Sequence, residues 1–360
     1  MAIRVGVVGT GNMGTTHVTN FARMPDVQVV ACHDIVRERA DNCVQNHGAL
    51  RVAASLEEVI AQSDAVVLAT PDHFHAPMTL QVLAAGKHVL CEKPLTTSLA
   101  EAQTVAAAAQ SAKPGLIHMV DFTYRRSAGL QEAIRLAHSG ALGQIRQVHS
   151  SYLQSWLSCQ PSWGKGEDWR ASYLLWKLST SEGSGGVLGD LGCHLLDLTT
   201  ACTQDLAAVR CSLQTYPKEL PDGQMVTSYE GKQLDANDSA FIELRFQDGG
   251  FGIAHTSRWA TGYTNTIRLE VHGTHGALRL NLDDSYEMIE LCLGEARHRQ
   301  QWDRKYFPTA PTVPERFITA IRTGVHDQPD LRRGAKVQSY LEACVQSAKT
   351  QQWEQIPTLT

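Results

Sequence analysis

The sequence predicts two domains: an α/β domain with a doubly wound parallel sheet, then an α+β domain with a large, mostly antiparallel, open-faced sheet. Three observations carry this. Short apolar runs alternate with helical patterns through the first 120 residues. A glycine-rich turn, Gly9-Thr10-Gly11-Asn12-Met13-Gly14, follows the first run. After Tyr124 the rhythm changes to period-two alternation, as in Phe241–Gln247, where Ile242, Leu244 and Phe246 interleave with polar residues. Continuous apolar strands separated by helices imply a parallel sheet covered on both faces, wound by right-handed crossovers. Alternation implies half-covered antiparallel strands.

In chain order, Ile3–Val8 is the first strand and Met13–Ala22 the first helix. Val27–Cys32 is a strand, Val36–Asn46 a helix, Ala65–Ala69 a strand and Ala76–Ala85 a helix. Val89–Cys91 is a short strand, Leu99–Ala112 an alanine-rich helix, and Gly115–Val120 closes the series. The second domain begins with a helix at Leu130–Ser139 and a strand at Ile145–Leu153, and carries a helix near Gly189–Cys202. Strands follow at Leu206–Tyr216, Ser239–Gln247, Gly252–Trp259, Thr266–His272 and Ala277–Leu282, and helices at Val313–Thr323 and Arg333–Lys349 end the chain. The expected boundaries are 1–122 and 123–360, with the closing helices free to pack back on the first domain.

The 360 residues suit two domains of about 100–200 residues each. An apolar fraction of 43% and a charged fraction of 19% are those of an ordinary globular protein. A net charge of −5 gives no reason to expect nucleic acid or an anionic membrane as partner. The nine cysteines are scattered and form no CxxC pair, which argues for free thiols in a reducing compartment. A strand beginning at Ile3 leaves no room for a signal peptide, and no apolar run reaches the ~18 residues of a membrane span. The expectation is a soluble, cytoplasmic protein.

The glycine turn sits between a strand and a helix, the context that a dinucleotide fingerprint requires. Gly9 permits the tight turn, Gly11 lets backbone approach a pyrophosphate, and Gly14 lets helix and strand pack closely. Asn12 and Met13 lie within the turn, and Asp34 ends the second strand, 20 residues after Gly14, placed to accept from ribose hydroxyls. A carboxylate there favours NAD over NADP, although Arg37 and Arg39 keep a 2′-phosphate open. A second cofactor contact is expected at Thr70, Pro71 and His75, just past a strand's carboxyl end. Cys91-Glu92-Lys93-Pro94 follows the Val89–Cys91 strand, where a lysine beside bound dinucleotide can donate to an oxygen whose charge changes.

Downstream, Asp190, His194 and Asp197 fall within about 60° of arc on one helical face at 100° per residue. A histidine beside a carboxylate suits proton transfer; a core histidine bonded to a neighbouring acid is the alternative. The same three residues have a metal-ligand pattern, but hydride transfer to a nicotinamide needs no metal, and none is expected. Trp156, Trp163, Trp169 and Trp176 cluster with Tyr152, Tyr173 and Arg170. They suit either the C–H faces of sugar rings or the packing of a long loop or interface.

The Gly9–Gly14 turn, Thr70-Pro71 with His75, Glu92-Lys93-Pro94, and Gly186 through His194 together resemble the Gfo/Idh/MocA oxidoreductases, over essentially the whole chain. The resemblance implies catalytic roles: Lys93 stabilises charge on the reacting oxygen, His194 acts as general base, and Asp190 orients His194 or the substrate. Pro94 would fix the direction of Lys93, with Glu92, Lys93 and Pro94 also touching the cofactor. Tyr124 and Arg125 would have supporting roles in substrate binding, to which the aromatic cluster adds Trp169 as a sugar-facing ring and Arg170 as a binder of hydroxyls. Two departures are visible: Asp72 stands where the family often has asparagine, and Asp121–Arg126 lacks the usual glycine before its aromatic.

The implied activity is NAD(P)-dependent hydride transfer at a hydroxyl carbon of a sugar, cyclitol or sugar derivative. Two alternatives remain: an NAD-retaining glycosidase or lyase working by transient oxidation and elimination, and a non-catalytic nucleotide-binding sensor. The expected partners are a small-molecule sugar or polyol, and further copies of the chain, a homodimer or homotetramer formed through the second-domain sheet.

Overall fold

Every strand expected in the first domain is paired in the computed structural model, which describes residues 2–158 and 168–359. The chain divides into two compact units, Met1–Thr123 with Pro311–Gln338, and Tyr124–Ala310 with Ser339–Thr358.

The first unit runs β1 (Ile3–Val8), α1 (Asn12–Ala22), β2 (Val27–His33), α2 (Arg37–Asn42), α3 (Leu56–Gln62), β3 (Ala65–Leu68), α4 (His75–Ala84), β4 (His88–Cys91), α5 (Leu99–Gln110) and β5 (His118–Val120). All five strands are parallel, in the order β2-β1-β3-β4-β5. The chain therefore leaves β1 toward one edge and returns to the other side of β1 as β3. That reversal opens a crevice at the carboxyl ends of β1 and β3, where ligands bind in such sheets. β3 is buried along its whole length, as its unbroken apolar sequence requires.

The helices follow local rules. Gly14, His17, Val18 and Phe21 form the buried stripe of α1 at helical spacing. Ser98 and Glu101 make a reciprocal capping box at the start of α5. Ser55 accepts from the Glu58 N–H to start α3, a helix the apolar pattern alone did not reveal. The helix expected over Val36–Asn46 is split, α2 passing into a π-helical turn at Cys43–His47.

In the second unit come α6 (Ala128–His138), β6 (Ile145–Leu153), α7 (Ser172–Leu175), α8 (Cys193–Ala201) and β7 (Leu206–Gln214). Two short hairpins follow, β8 (Lys218–Glu219) with β9 (Met225–Val226) and β10 (Ser228–Tyr229) with β11 (Lys232–Gln233). Then come β12 (Ser239–Phe246), β13 (Phe251–Ser257), β14 (Thr266–Gly273), β15 (Gly276–Asn281), β16 (Met288–Leu293), α9 (Glu295–Arg299) and β17 (Asp303–Tyr306). The chain closes with α10 (Val313–Thr323), α11 (Leu331–Thr350) and β18 (Glu354–Gln355). Val313, Phe317, Ile318 and Ala320 of α10 are part of the first unit's core, beside Val5, Val7 and Val29.

The large sheet has the order β17-β16-β15-β14-β6-β13-β12-β7-β18 and is antiparallel except at β13–β6. α8 lies against β6 and β13, and α6 against β15 and β16. On the other face, Phe241, Phe251 and Ile253 are 53%, 44% and 48% exposed. One face is thus helix-covered and the other open. All nine residues of α8 are buried; its leucines Leu195, Leu196 and Leu198 contribute about 2 kcal/mol each by leaving water.

His118 on β5 gives the first unit a pH dependence. It is buried beside His326, ring centroids 4.3 Å apart, and its backbone N–H donates to His326 Nε2. Burial, and then the neighbouring imidazole, push its pKa down to about 4. The unfolded chain, titrating near 6.5, takes up this proton first. The contribution is therefore full above pH ~6.5 and is lost as the pH falls toward ~4. Urea unfolding midpoints should decline across that window, and His118→Gln should flatten the decline; parallel curves for the two proteins would exclude this histidine as the source.

Candidate active site

At the first strand's end, Gly9 adopts φ +83°, and a Cβ there would lie 2.4 Å from the Ala69 carbonyl oxygen. On Gly14 a Cβ would lie 1.8 Å from the carbonyl oxygen of Gly9. Both positions are closed to any side chain. Gly11 is the opposite case, with nothing within 4 Å of where its Cβ would stand, and it gives α1 no side-chain cap. An open, uncapped helix N-terminus over a glycine turn fits a pyrophosphate, which the first-turn N–H groups and the helix dipole bind. Asn12 and Met13 are exposed at this end.

Asp34 follows β2. Its Oδ2 accepts from the Thr10 N–H at 2.7 Å and from the Thr10 hydroxyl at 3.2 Å, and Oδ1 accepts from the Val36 N–H at 2.8 Å. The carboxylate thus braces the glycine turn. Thr70 and Pro71 follow β3, part-exposed and exposed. His75, at the start of α4, is buried, with Nδ1 at 2.7 Å from the Pro94 carbonyl oxygen and Nε2 at 2.8 Å from that of Thr70. A neutral imidazole has one N–H, so only the protonated ring donates to both carbonyls. Burial opposes that charge, but Cys91, the Asp72 carboxylate and the Pro94 bond outweigh it, holding the pKa at about 10.

Glu92-Lys93-Pro94 continues from β4. The Glu92 N–H donates to the Leu68 carbonyl at 2.9 Å, extending the ladder by one residue. The Glu92 carboxylate is buried; Oε1 is 2.8 Å from His17 Nε2, and Oε2 accepts from the Lys93 N–H at 3.2 Å. The Lys93–Pro94 peptide is cis. Lys93 is therefore tied through its backbone by Glu92 on one side and the His75–Pro94 bond on the other, with a half-buried side chain.

In the second unit, Asp190 lies in a π-helical turn, Leu188–Gly192, that runs into α8. The regular 100° per residue on which the single-face reading of Asp190, His194 and Asp197 was counted does not hold through this i→i+5 turn. Asp190 Oδ2 accepts from Lys177 Nζ at 3.1 Å and from Arg258 at 3.0 Å. Asp197 holds Arg125 in a two-pronged bond, both contacts 2.7 Å and both residues buried. Two carboxylates so engaged with cations are not the donor set of a metal site. Among the described residues, the one His/acid group close enough to share an ion is His17, Glu92 and Asp121 in the first unit.

His194 is buried against aromatic edges: Tyr124 at 4.9 Å and Tyr152 at 6.2 Å between centroids, both T-shaped. The tyrosine hydroxyls are 2.5 Å apart, and Asn265 bonds both, at 3.0 and 2.7 Å. Gln154 joins Asn265 at 2.7 Å and accepts from the Trp156 indole at 3.1 Å. Burial, then Tyr124, raise the Tyr152 pKa well above 10, so this hydroxyl keeps its proton. Trp169, expected to face substrate, is buried with Leu157, Leu175, Leu178 and Leu234, its indole N–H on the Glu219 carbonyl. It does the packing job that was the alternative for this cluster. Arg170 pairs with Asp168, and Trp163 lies outside the described residues.

Sequence reasoning missed His17, Arg258, Tyr152 as a bonding partner, and Asn265. A polar residue on α1's apolar stripe was a visible signal for His17. Arg258 ends the inward-facing alternation of β13, an equally odd place for a cation.

Residues 3–121 match the family model described as an oxidoreductase family with an NAD-binding Rossmann fold, and residues 130–279 match the GFO/IDH/MocA C-terminal domain. The chain is similar to levoglucosan dehydrogenase of Pseudarthrobacter phenanthrenivorans, 27% identical over 99% of both proteins. It is also similar to myo-inositol 2-dehydrogenase of Thermotoga maritima, 25% identical over 77% of this chain and 74% of the relative. In fold it resembles a solved levoglucosan dehydrogenase in complex with NADH and levoglucosan, with a TM-score of 0.85, 24% identity, and 99% and 100% of the two chains covered.

Arg258 is the buried support of this site: it also donates to the carbonyl oxygens of Lys177 (3.0 Å) and Gly186 (3.2 Å). Arg258→Met should cost about 3 kcal/mol in urea unfolding, because the buried acceptors lose their donor. Lys177→Met removes a more exposed partner and should cost under about 1 kcal/mol. Equal losses would refute this ranking.

Proposed function

The chain belongs to the Gfo/Idh/MocA oxidoreductases, a family that binds NAD on a Rossmann fold, and we propose that it transfers hydride between a sugar or cyclitol hydroxyl carbon and NAD. The observation that carries the substrate class is the full-length similarity to a levoglucosan dehydrogenase, which spans both units. Gly9, Gly11, Asn12, Met13, Gly14, Asp34, Thr70 and Pro71 bind the cofactor, and His75 fixes the loop they share with Pro94. NAD, when bound, supplies the hydride acceptor.

The chain's own groups supply the rest. Lys93 donates to the reacting hydroxyl oxygen and stabilises the negative charge that grows there. His194 takes the hydroxyl proton as hydride leaves the carbon, and returns it in the reverse direction. Asp190, steadied by Arg258 and Lys177, orients the substrate or His194. Tyr124 packs on the His194 ring, and Arg125 acts through Asp197 on the helix that carries it. The scattered, mostly buried cysteines support a reducing, cytoplasmic setting, and among the described residues no helix is long and apolar enough to cross a membrane.

The test is NADH formation with levoglucosan, myo-inositol, glucose 6-phosphate, and a set of aldoses and glycosides. At least one should be oxidised, and Lys93→Ala should lower kcat by about three decades or more while NAD affinity stays within about tenfold. Silence across the panel, or turnover surviving in Lys93→Ala, would sink the assignment.

A second copy of the chain is the partner proposed for the open sheet face. Phe241, Phe251 and Ile253 lie there, and Phe241 with Met225, His255 and Trp259 lines a hollow of about 480 Å³. An apolar patch on an otherwise polar sheet face is what a self-association surface requires. Sedimentation should give a dimer or larger species that Phe241→Lys combined with Ile253→Lys reduces in size; a monomeric wild type ends the proposal.

A further inference from the structure

His17 is the least expected residue in the first unit: a histidine on the buried stripe of α1, three residues beyond the last glycine of the phosphate turn. It is 2% exposed. Its Nε2 stands 2.8 Å from Glu92 Oε1 and 3.6 Å from Asp121 Oδ2. Glu92 and Asp121 are themselves buried, at 6% and 4% exposed. Two carboxylates removed from water need a compensating cation or a proton.

We infer that His17 is a positioning residue for the reaction: it holds the Glu92 carboxylate, and through it the backbone of Lys93. The chain of contact is short. Nε2–H of His17 donates to Oε1 of Glu92, and the other oxygen of the same carboxylate accepts the Lys93 N–H at 3.2 Å. Rotation of the Glu92 carboxylate would break both bonds together. With His17 in place, one end of the lysine's peptide is fixed from α1, the same helix whose N-terminus meets the cofactor phosphates.

Electrostatics agree with the geometry. Burial penalises the imidazolium, but the bond to Glu92 and the charges of Glu92 and Asp121 outweigh it, so the His17 pKa is raised. Burial likewise opposes the Glu92 charge, and the His17 bond overcomes it, with Lys93 adding to the effect. The charged groups that face His17 are Glu92 after β4 and Asp121 after β5, and its ring packs on Phe21 within α1, 6.2 Å between centroids.

The inference rests on the catalytic role proposed for Lys93, so its test has a substrate-free arm. Reductive methylation with [13C]formaldehyde labels lysines, and the Lys93 signal is assigned by its absence in Lys93→Ala. In His17→Leu, with and without NADH, that signal should move from its wild-type position. In His17→Gln, whose amide reaches where Nε2 stands and donates to Glu92, it should stay. With the fastest sugar of the panel, His17→Leu should lose ten- to a hundredfold in kcat with NADH affinity within threefold, and His17→Gln should recover to within threefold of wild type.

An unmoved Lys93 signal in folded His17→Leu, or equal kcat in the leucine and glutamine variants, overturns the inference. Should the leucine variant not fold, His17→Asn, whose shorter amide stops short of Glu92, replaces it under the same criteria. Turnover surviving in Lys93→Ala while the His17 variants still move the lysine signal would instead fault the catalytic role of Lys93, leaving the positioning contact intact.

Discussion

The first unit depends on one steric constraint: α1 must start so close to β1 that its backbone touches the turn that precedes it. The Gly9 carbonyl occupies the place where a side chain on Gly14 would begin, and Ala69 after β3 presses on Gly9 in the same way. Two strands and a helix therefore converge where only backbone fits. The convergence falls beside the reversal in strand order, and it leaves helix N–H groups facing an opening. A glycine turn is thus both a packing solution and an anion site, and Asp34, bonded to Thr10, keeps it in shape.

Buried charge sets the second level of organisation. Polar side chains in the interior cost free energy unless bonded, and four buried charged groups here each face a specific partner. Arg125 meets Asp197, Arg258 meets Asp190, and Lys218 meets Asp238, the last pair fully buried. His17 meets Glu92. Several of these pairs lie next to residues proposed to act on substrate. Removing one partner of a buried pair is far more damaging than replacing the pair, so the supports of the site and the stability of the fold are the same residues.

Much of this was legible in the amino-acid order. Strands such as Ala65–Leu68 declare themselves by unbroken apolar runs, and the glycine turn by its position between Ile3–Val8 and a helical stripe. The α3 helix had a local signal too, Ser55 three residues before Glu58, but its short apolar pattern gave no period to count. The π-turn at Leu188–Gly192 had no such signal, because it arises from how the helix packs rather than from propensity. Long-range pairings were equally hidden: Asp190 and Arg258 stand 68 residues apart, and nothing near either predicts the other. Trp169 shows the limit for aromatics, since composition alone does not separate a ring that packs from one that presents a face.

His75 carries a consequence for how this sequence can drift. Its two nitrogens reach carbonyls that follow different strands, one belonging to Thr70 and one to Pro94. A protonated imidazole is the only side chain that directs two N–H groups from opposite edges of one small rigid plane. Asparagine and glutamine donate from one end alone, and lysine and arginine reach too far to rest between the two. Position 75 has no synonym in the genetic alphabet, and the loop geometry on either side of it is written in that one letter.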